Sequence, residues 1–353
     1  MSMRNNKGEN SMKYISVILT GFGNVGHSLV NILNSKKNVI AGQYKLDIRI
    51  TAVIGSRYAI IEEQGIDLQR LSNCDKHSKG IQQYGKCLYE IVNSKDLLEK
   101  LEADVLIEAS PTNIETGEPG FSHIYTAISK GMDVVVLSKG ALVQHSKEIQ
   151  EFAHLKGARV KMSGATAAAL PTIDLAQYNL AGNDIYKIQG ILNGTTNYIL
   201  TRMHKKNISF TEALQEAQEE GIAEANPKLD IGGFDTASKL LILANTIWGT
   251  SLRLKDVALE GIENITREDV AAAVRDDKTI KLVGEAVRES YGVRLRVVPI
   301  VLENSNILTR ADYKDKAVVF YTDLMGTMAV VGGASDPKAA AAAALKDVIN
   351  LFR

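Results

Sequence analysis

The sequence has little cysteine, no surplus of either charge and no long apolar run. Its two cysteines, Cys74 and Cys87, are too few for a disulfide framework or a metal-ligand cluster. The 41 basic and 41 acidic residues give a formal net charge of zero. That argues against nucleic acid or an anionic membrane as the main partner, because both favour a basic surface. None of the six histidines stands four residues from another, so no helix face carries the paired imidazoles of a metal site. The apolar stretch "LLILANTIW" falls far short of the roughly 20 residues a membrane helix needs. The opening "MSMRNNKGENSMK" is polar and lacks the apolar core of a signal peptide. It reads as a flexible tail over residues 1–12, and the chain as a soluble, cytoplasmic protein. At 353 residues, 45% hydrophobic and 23% charged, there is room for two ordinary globular domains.

Against these absences stands "ILTGFGNVGHSLVNIL", Ile18 to Leu33. Gly21, Gly23 and Gly26 follow a short apolar run and open a segment with helical spacing at Val25, Leu29, Ile32 and Leu33. A strand, a tight glycine turn and a helix N-terminus form the context that a dinucleotide fingerprint requires. The first glycine makes the turn, the second lets the backbone approach a pyrophosphate, and the third allows close helix–strand packing. Phosphates would then sit at the positive end of the helix dipole. The competing reading is an ordinary structural turn.

The following pattern favours the nucleotide. "KLDIRITAVIG" (Lys45–Gly55) predicts a second strand and "ADVLIEAS" (Ala103–Ser110) a third, while "MDVVVLSKGAL" predicts a fourth strand running into Lys139. "FSHIYTAISKG" predicts a helix stopped by Gly131. The stretch from Ser56 to Lys95 is polar and less regular, with scattered short helical patches. Strands alternating with helices predict a parallel α/β sheet with ligands at the carboxyl ends of its strands. From about Ala141 the pattern changes to α+β. It includes "RVKMSGATAAALPTI", "YKIQGILNGTTNYILTRM", a helix with a capping box from Ser209 to Glu212 that ends at Gly221, short strands from Lys281 onward, and a final alanine-rich helix.

The stretch "EEGIAEANPKLDIGGFDTASKLLILAN" (Glu219–Asn245) is rich in chemistry. Glu224, Asp230, Asp235 and Lys239 lie within sixteen residues, on a loop with Pro227, Gly232 and Gly233 that feeds a helix. Asp235 and Lys239 are spaced to share one helix face, and that helix is apolar nearly all round, which predicts burial. A lysine there is costly unless it is paired or lines a polar cavity. An exposed ion pair is the plain alternative; Glu224 and Asp230 tilt the reading towards a pocket.

The glycine turn, "LSKGAL", "ILNGTTNYIL" and "AEANPKLDIGGFDTASK" occur in order, and together they resemble homoserine dehydrogenase from Lys13 to Arg353. The resemblance implies an α/β, Rossmann-like parallel-sheet nucleotide domain over 13–140, to which the segment 330–353 returns. An α+β catalytic and dimerisation domain would span 141–329. It also implies interconversion of L-homoserine and L-aspartate 4-semialdehyde with NAD or NADP, in threonine, methionine and isoleucine biosynthesis, by a homodimer. Carried over by position, Lys239 would be the acid/base lysine with Asp235 its partner, and Lys139 a second catalytic lysine between nicotinamide and substrate. Glu224, Asp230, Thr195 and Lys139 would bind substrate, with Glu224 gripping its ammonium group. The cofactor would meet Gly21, Phe22, Gly23, Asn24, Val25, Gly26, Ser110, Lys139 and Gly333. A monovalent cation such as sodium would be held by the backbone carbonyls of Thr166, Ala168 and Leu170.

The chain departs from that pattern in places. Ser138 precedes Lys139 where asparagine is common, and Ser163 stands where the cation stretch often starts with an acid. With the sequence ending soon after its last helix, neither an appended regulatory domain nor a preceding kinase domain is expected. The second strand ends in Gly55, Ser56 and Arg57 in place of the acid that bonds a ribose 2′-hydroxyl. Ser56 and Arg57 suit a 2′-phosphate, which predicts tighter binding of NADP than of NAD. An acyl-phosphate-forming semialdehyde dehydrogenase would need a nucleophilic cysteine in the catalytic half, and both cysteines lie before the third strand. A non-catalytic nucleotide sensor would have no need of the intact Glu, Asp, Asp, Lys set.

Overall fold

The computed structural model describes residues 12–76 and 78–353, so the expected tail over 1–12 lies outside the described residues except for Met12. The chain divides into two compact units. The first comprises residues up to Ala141, Glu148–Met162 and Ala340–Arg353; the second comprises Leu142–Lys147 and Ser163–Ala339.

The first unit is built on a seven-stranded sheet. Its strands are β1 (Lys13–Thr20), β2 (Leu46–Ile54), β3 (Tyr58–Ile61), β4 (Leu88–Glu90), β5 (Val105–Glu108), β6 (Asp133–Val136) and β7 (Val160–Lys161). They lie in the order β4-β3-β2-β1-β5-β6-β7. The five strands from β2 through β1, β5 and β6 to β7 run parallel. Their runs of Val, Ile and Leu are buried on both faces, as a parallel sheet covered by helices demands. Alanines and aliphatics of the last helix, Pro337–Phe352, join this core through Ala341, Ala344, Val348 and Leu351.

Two details of this unit differ from the sequence reading. Ser56–Lys95 is not merely irregular: β3 returns antiparallel on β2, and β4 pairs antiparallel with β3. Four and three residues are too short for periodicity to show; the hairpin is set by the bond from Gly55 N–H to the Tyr58 carbonyl, 2.9 Å. The fourth predicted strand stops at Val136, and Lys139 opens a helix, Lys139–Lys156. The boundary also falls differently. Residues 148–162 belong to the first unit because the strand they lead to, β7, pairs with β6. Residues 330–339 belong to the second unit, so only 340–353 returns to the first.

The second unit carries a six-stranded sheet of β8 (Ile185–Ile191), β9 (Val257–Leu259), β10 (Lys278–Glu289), β11 (Gly292–Glu303), β12 (Lys316–Thr322) and β13 (Thr327–Gly332), in the order β13-β12-β8-β10-β11-β9. The β10–β11 hairpin pairs through twelve residues on each side, so these strands are longer than the sequence suggests. The helix Gly194–Lys206 packs on β10, and the helix Phe234–Trp248 packs on β10 and β11. Ala237, Leu240, Leu241 and Leu243 of the latter are wholly buried. The helix Phe210–Glu219 starts with the expected capping box: Ser209 and Glu212 satisfy each other's backbone N–H groups. Among the described residues no helix is long and apolar enough to cross a membrane.

Candidate active site

In the first unit, β1 ends at Thr20 and the chain turns at Gly21 with φ of +88° into the helix Asn24–Tyr44. A Cβ on Gly21 would come within 2.3 Å of the Ala109 carbonyl oxygen, and one on Gly26 within 2.2 Å of the Gly21 carbonyl oxygen. Both positions therefore require glycine. Gly23 is different: nothing lies within 4 Å of where its Cβ would be, and as N-cap it offers the helix no side-chain bond. The first-turn N–H groups are thus left for an incoming acceptor, which suits a phosphate.

Above this turn lies a cavity of about 490 Å³, within the usual range for small-molecule sites. Gly21, Phe22, Gly23, Asn24, Val25, Ser56 and Ser110 line it, as expected from the sequence; Ser94 and His123 line it too. Gly26 is buried behind the turn. Arg57 is not among the lining residues: it sits exposed on the β2–β3 turn, where its carbonyl accepts the Ile91 N–H at 2.8 Å. Lys139 is half-buried at the start of its helix, with its backbone N–H donating to Thr112 Oγ1 at 3.2 Å. The glycine turn, the room above the helix N-terminus and the polar wall fit a dinucleotide.

Beneath this wall sits a carboxylate that the sequence reading missed. Glu108, the last residue of β5, is fully buried. Its Oε1 accepts from the Ser110 backbone N–H at 2.9 Å, from the Ser110 hydroxyl, and from the Ser138 hydroxyl at 3.3 Å. Its Oε2 accepts from Thr20 Oγ1 at 2.5 Å and lies 2.8 Å from His123 Nδ1. Burial alone would raise its pKa, but the hydrogen bonds and charge of His123, with the Ser110 and Thr20 hydroxyls, hold it below the ordinary value. The signal was present in "VLIEAS": an acid closing a wholly apolar strand must find donors.

In the second unit, Asn193 follows β8 and caps the Gly194–Lys206 helix, its Oδ1 accepting the Thr196 N–H at 2.8 Å. That bond fixes the amide so that Nδ2 donates to Asp230 Oδ1 at 2.7 Å and to Asp235 Oδ2 at 2.8 Å. Lys239 Nζ donates to the same Asp235 Oδ2 at 2.6 Å and to the Leu192 carbonyl at 2.9 Å. The Lys239 and Asp235 side chains are only 15% and 12% exposed, which sets them apart from a solvated surface pair. Two of the three ammonium donors are thereby used. Thr195 is buried beside this cluster in sequence, its hydroxyl donating to the Ile222 carbonyl at 3.3 Å.

The structure thus brings Asp230, Asp235 and Lys239 together through Asn193. Glu224 shares no hydrogen bond with them and is exposed on the loop after Gly221; its carbonyl accepts from Gln218, and its carboxylate makes no ion pair among the described residues. Asn193 was missed as a site residue although it stands in "ILNGTTNYIL". Its position as a helix cap whose amide nitrogen faces two acids emerges only from tertiary structure.

The carbonyls expected to seat a cation lie in a loop with bonds of its own. Ala168 adopts a left-handed backbone, φ of +52°. The Leu170 carbonyl already accepts the Thr172 N–H at 2.8 Å. Between the Thr166 and Ala168 carbonyls, that of Ala167 accepts from the buried Lys316 amine at 3.0 Å. A lysine of the chain itself thus takes one carbonyl of this loop. Gly333 lies in this same unit, where a Cβ would meet Leu170 Cδ1 at 3.2 Å; it is not among the residues lining the 490 Å³ cavity.

A parallel sheet with a glycine turn under a dinucleotide-sized cavity, and a second sheet unit carrying a partly buried lysine–carboxylate cluster, define a two-domain nicotinamide-dependent oxidoreductase. Family comparison narrows the class. Residues 21–163 match the model "Homoserine dehydrogenase, NAD binding domain", and residues 171–349 the model "Homoserine dehydrogenase". The chain is 37% identical over 338 residues to a homoserine dehydrogenase of Methanocaldococcus jannaschii, covering 96% of this chain and 98% of that one. It is 30% identical to an NAD(+)-dependent homoserine dehydrogenase of Pseudomonas canavaninivorans, covering 97% of each. The crystal structure of a homoserine dehydrogenase from Thiobacillus denitrificans superposes with a TM-score of 0.83 at 29% identity, over 98% of this chain and 74% of that one. The chain belongs to the homoserine dehydrogenase family, NAD(P)-dependent oxidoreductases acting on the CH–OH group of homoserine.

Proposed function

We propose that the chain interconverts L-homoserine and L-aspartate 4-semialdehyde, with Lys239 as the proton-transfer group. The observation that carries this reading is the Lys239 ammonium, held by Asp235 and the Leu192 carbonyl with one donor to spare. In the reducing direction that N–H protonates the aldehyde oxygen as hydride reaches the carbonyl carbon; in the oxidising direction the neutral amine takes the hydroxyl proton. NAD(P)H, when bound over the Gly21–Gly26 turn, supplies the hydride. Asp230 and Thr195 orient the substrate, Glu224 takes its ammonium group, and Lys139 polarises the reacting oxygen. Asn193 keeps the two aspartates in register.

Within this reading NADP binds more tightly than NAD, because Ser56 lines the cavity and Arg57 is one residue further along an exposed turn, free to swing towards a 2′-phosphate. Ser110 meets the nicotinamide end. Gly333 completes the cofactor site only if its loop approaches the nucleotide. No cation is assigned, because Lys316 already brings a cationic group into the loop. The working form is a cytoplasmic homodimer, the default symmetry for such enzymes.

The test is homoserine-dependent formation of NAD(P)H by the parent and by Lys239→Ala, with a cofactor-binding titration of both. The variant is expected to lose most turnover while retaining its fold and NADP affinity. Lys239→Arg should not restore it, since a guanidinium does not release a proton near neutral pH. A folded Lys239→Ala protein with near-parental turnover overturns the assignment and passes the role to Lys139.

A further inference from the structure

The wall of the nucleotide cavity has a hydrogen-bond polarity, and Glu108 sets it. Glu108 receives five hydrogen bonds while being fully buried, and an ionised carboxylate can only accept. Every partner must therefore donate. Ser110 has one hydroxyl proton, and it is committed to Glu108 Oε1. The backbone N–H of Ser110 is committed to the same oxygen at 2.9 Å, which holds the residue in place. What the Ser110 hydroxyl offers the cavity is lone pairs alone.

His123 Nδ1 must carry its proton towards Glu108 Oε2, 2.8 Å away. The other ring nitrogen, Nε2, lies 2.6 Å from the Ser94 hydroxyl, and which of the two donates follows the protonation of the ring. Ser94, Ser110 and His123 all line the cavity. The Ser110 hydroxyl thus faces the cavity as an acceptor, held there by a carboxylate to which it and its backbone N–H both donate. The turn at Gly21–Gly26, by contrast, presents helix N–H donors. A phosphate is favoured at the second and disfavoured at the first.

We propose that Glu108 is a positioning residue that fixes the Ser110 hydroxyl as an acceptor, so that this part of the cavity selects a hydrogen-bond donor on bound NAD(P), a carboxamide N–H or a ribose O–H. The inference rests on the reading of the cavity as the NAD(P) site and goes beyond it by assigning which groups the wall accepts. It also assigns a role to a residue that no ligand can touch. Glu108 acts through Ser110, and the orientation of the dinucleotide follows from the polarity it imposes.

The experiment measures binding of NAD+ and of 3-acetylpyridine adenine dinucleotide, which lacks the carboxamide N–H donors. The parent, Ser110→Ala, Glu108→Gln and the double variant are compared. Ser110→Ala is expected to weaken NAD+ binding about tenfold, while the KM for homoserine at saturating cofactor stays within about twofold. If the carboxamide is the donor, the parent prefers NAD+ over the acetylpyridine analogue and Ser110→Ala loses that preference. If a ribose hydroxyl is the donor, Ser110→Ala weakens both ligands equally.

Because Glu108 works through Ser110, adding Glu108→Gln to Ser110→Ala should weaken NAD+ binding little further, a coupling that a merely structural carboxylate would not show. Additive losses in the double variant overturn the role of Glu108. Should Glu108→Gln not fold, Ser110→Ala and the two ligands still decide: unchanged affinity for both overturns the inference. A parent that binds no NAD(P) overturns the cavity reading together with this one. A parent that binds it while Ser110→Ala binds it equally well overturns this one alone.

Discussion

The side-chain amide of Asn193 donates to both Asp230, at 2.7 Å, and Asp235, at 2.8 Å. Its oxygen meanwhile caps the following helix through the Thr196 N–H. Asn193→Ser separates these two duties, because serine caps a helix as well as asparagine does but has no N–H to give the two acids and adds no charge beside them. The variant should keep its thermal stability to within a few degrees. Its kcat/KM for homoserine should fall roughly ten- to hundredfold, the equivalent of about 1–3 kcal/mol. Parental kinetics would show that the bridge is not needed.

Glu224→Gln tests the substrate ammonium. Loss of a charge-assisted bond is worth about 1.5–3 kcal/mol, so kcat/KM for homoserine should fall by about tenfold or more. NAD(P) affinity, measured by titration, should not move. Equal use of homoserine by parent and variant would take Glu224 out of the site, in keeping with its exposed position on the loop.

Arg57→Ala should weaken NADP binding and leave NAD binding as it was. The expected loss is about tenfold or more, from one charge-assisted contact to the 2′-phosphate. If both cofactors bind the variant as they bind the parent, Arg57 has no part in discrimination and Ser56, which does line the cavity, becomes the residue to change.

His204 predicts an acid limit to stability. Its Nε2 accepts the Ile280 N–H at 2.9 Å, an arrangement open only to the neutral ring. Burial, and then the charge of Lys281, push its pKa from 6.5 down to about 4, with Asp312 opposing. Between those values the unfolded chain binds the proton and the folded one does not, so stability rises with pH through this window and is lost on acidification. Each pH step of one within it is worth at most about 1.4 kcal/mol. His204→Gln keeps an acceptor for Ile280 and does not titrate, so its melting temperature should fall less between pH 6.5 and 4. An identical acid limb in parent and variant would exclude His204 as the cause.

Much of this molecule is legible in the chain. The Gly21–Gly26 turn is legible because its spacing is local, although the contact that demands glycine at Gly21 is with Ala109, just past β5, and the one at Gly26 is with Gly21 itself. The Asp235–Lys239 pair is legible for the same reason, since four residues along a helix make one face. Strands β3 and β4 were hidden because their pairing is set by a turn and an edge, with too few residues for a period to register. Asn193 and Glu108 were hidden because their meaning lies in partners far along the chain: Asp230 and Asp235 for the one, Thr20, His123 and Ser138 for the other. Lys316, distant in sequence from Ala167, escaped notice in the same way.

The first unit takes its core from both extremes of the described chain, with Ile15 and Val17 of β1 in the same cluster as Val348 and Leu351 of the last helix. During synthesis at roughly 5–20 residues per second, the nascent sheet must therefore wait for the final helix, its apolar face uncovered, while the whole second unit emerges in between. Residues 163–339 can complete their own contacts first. The nucleotide-binding unit, begun before the second unit, is sealed after it, and chaperone dependence should concentrate there.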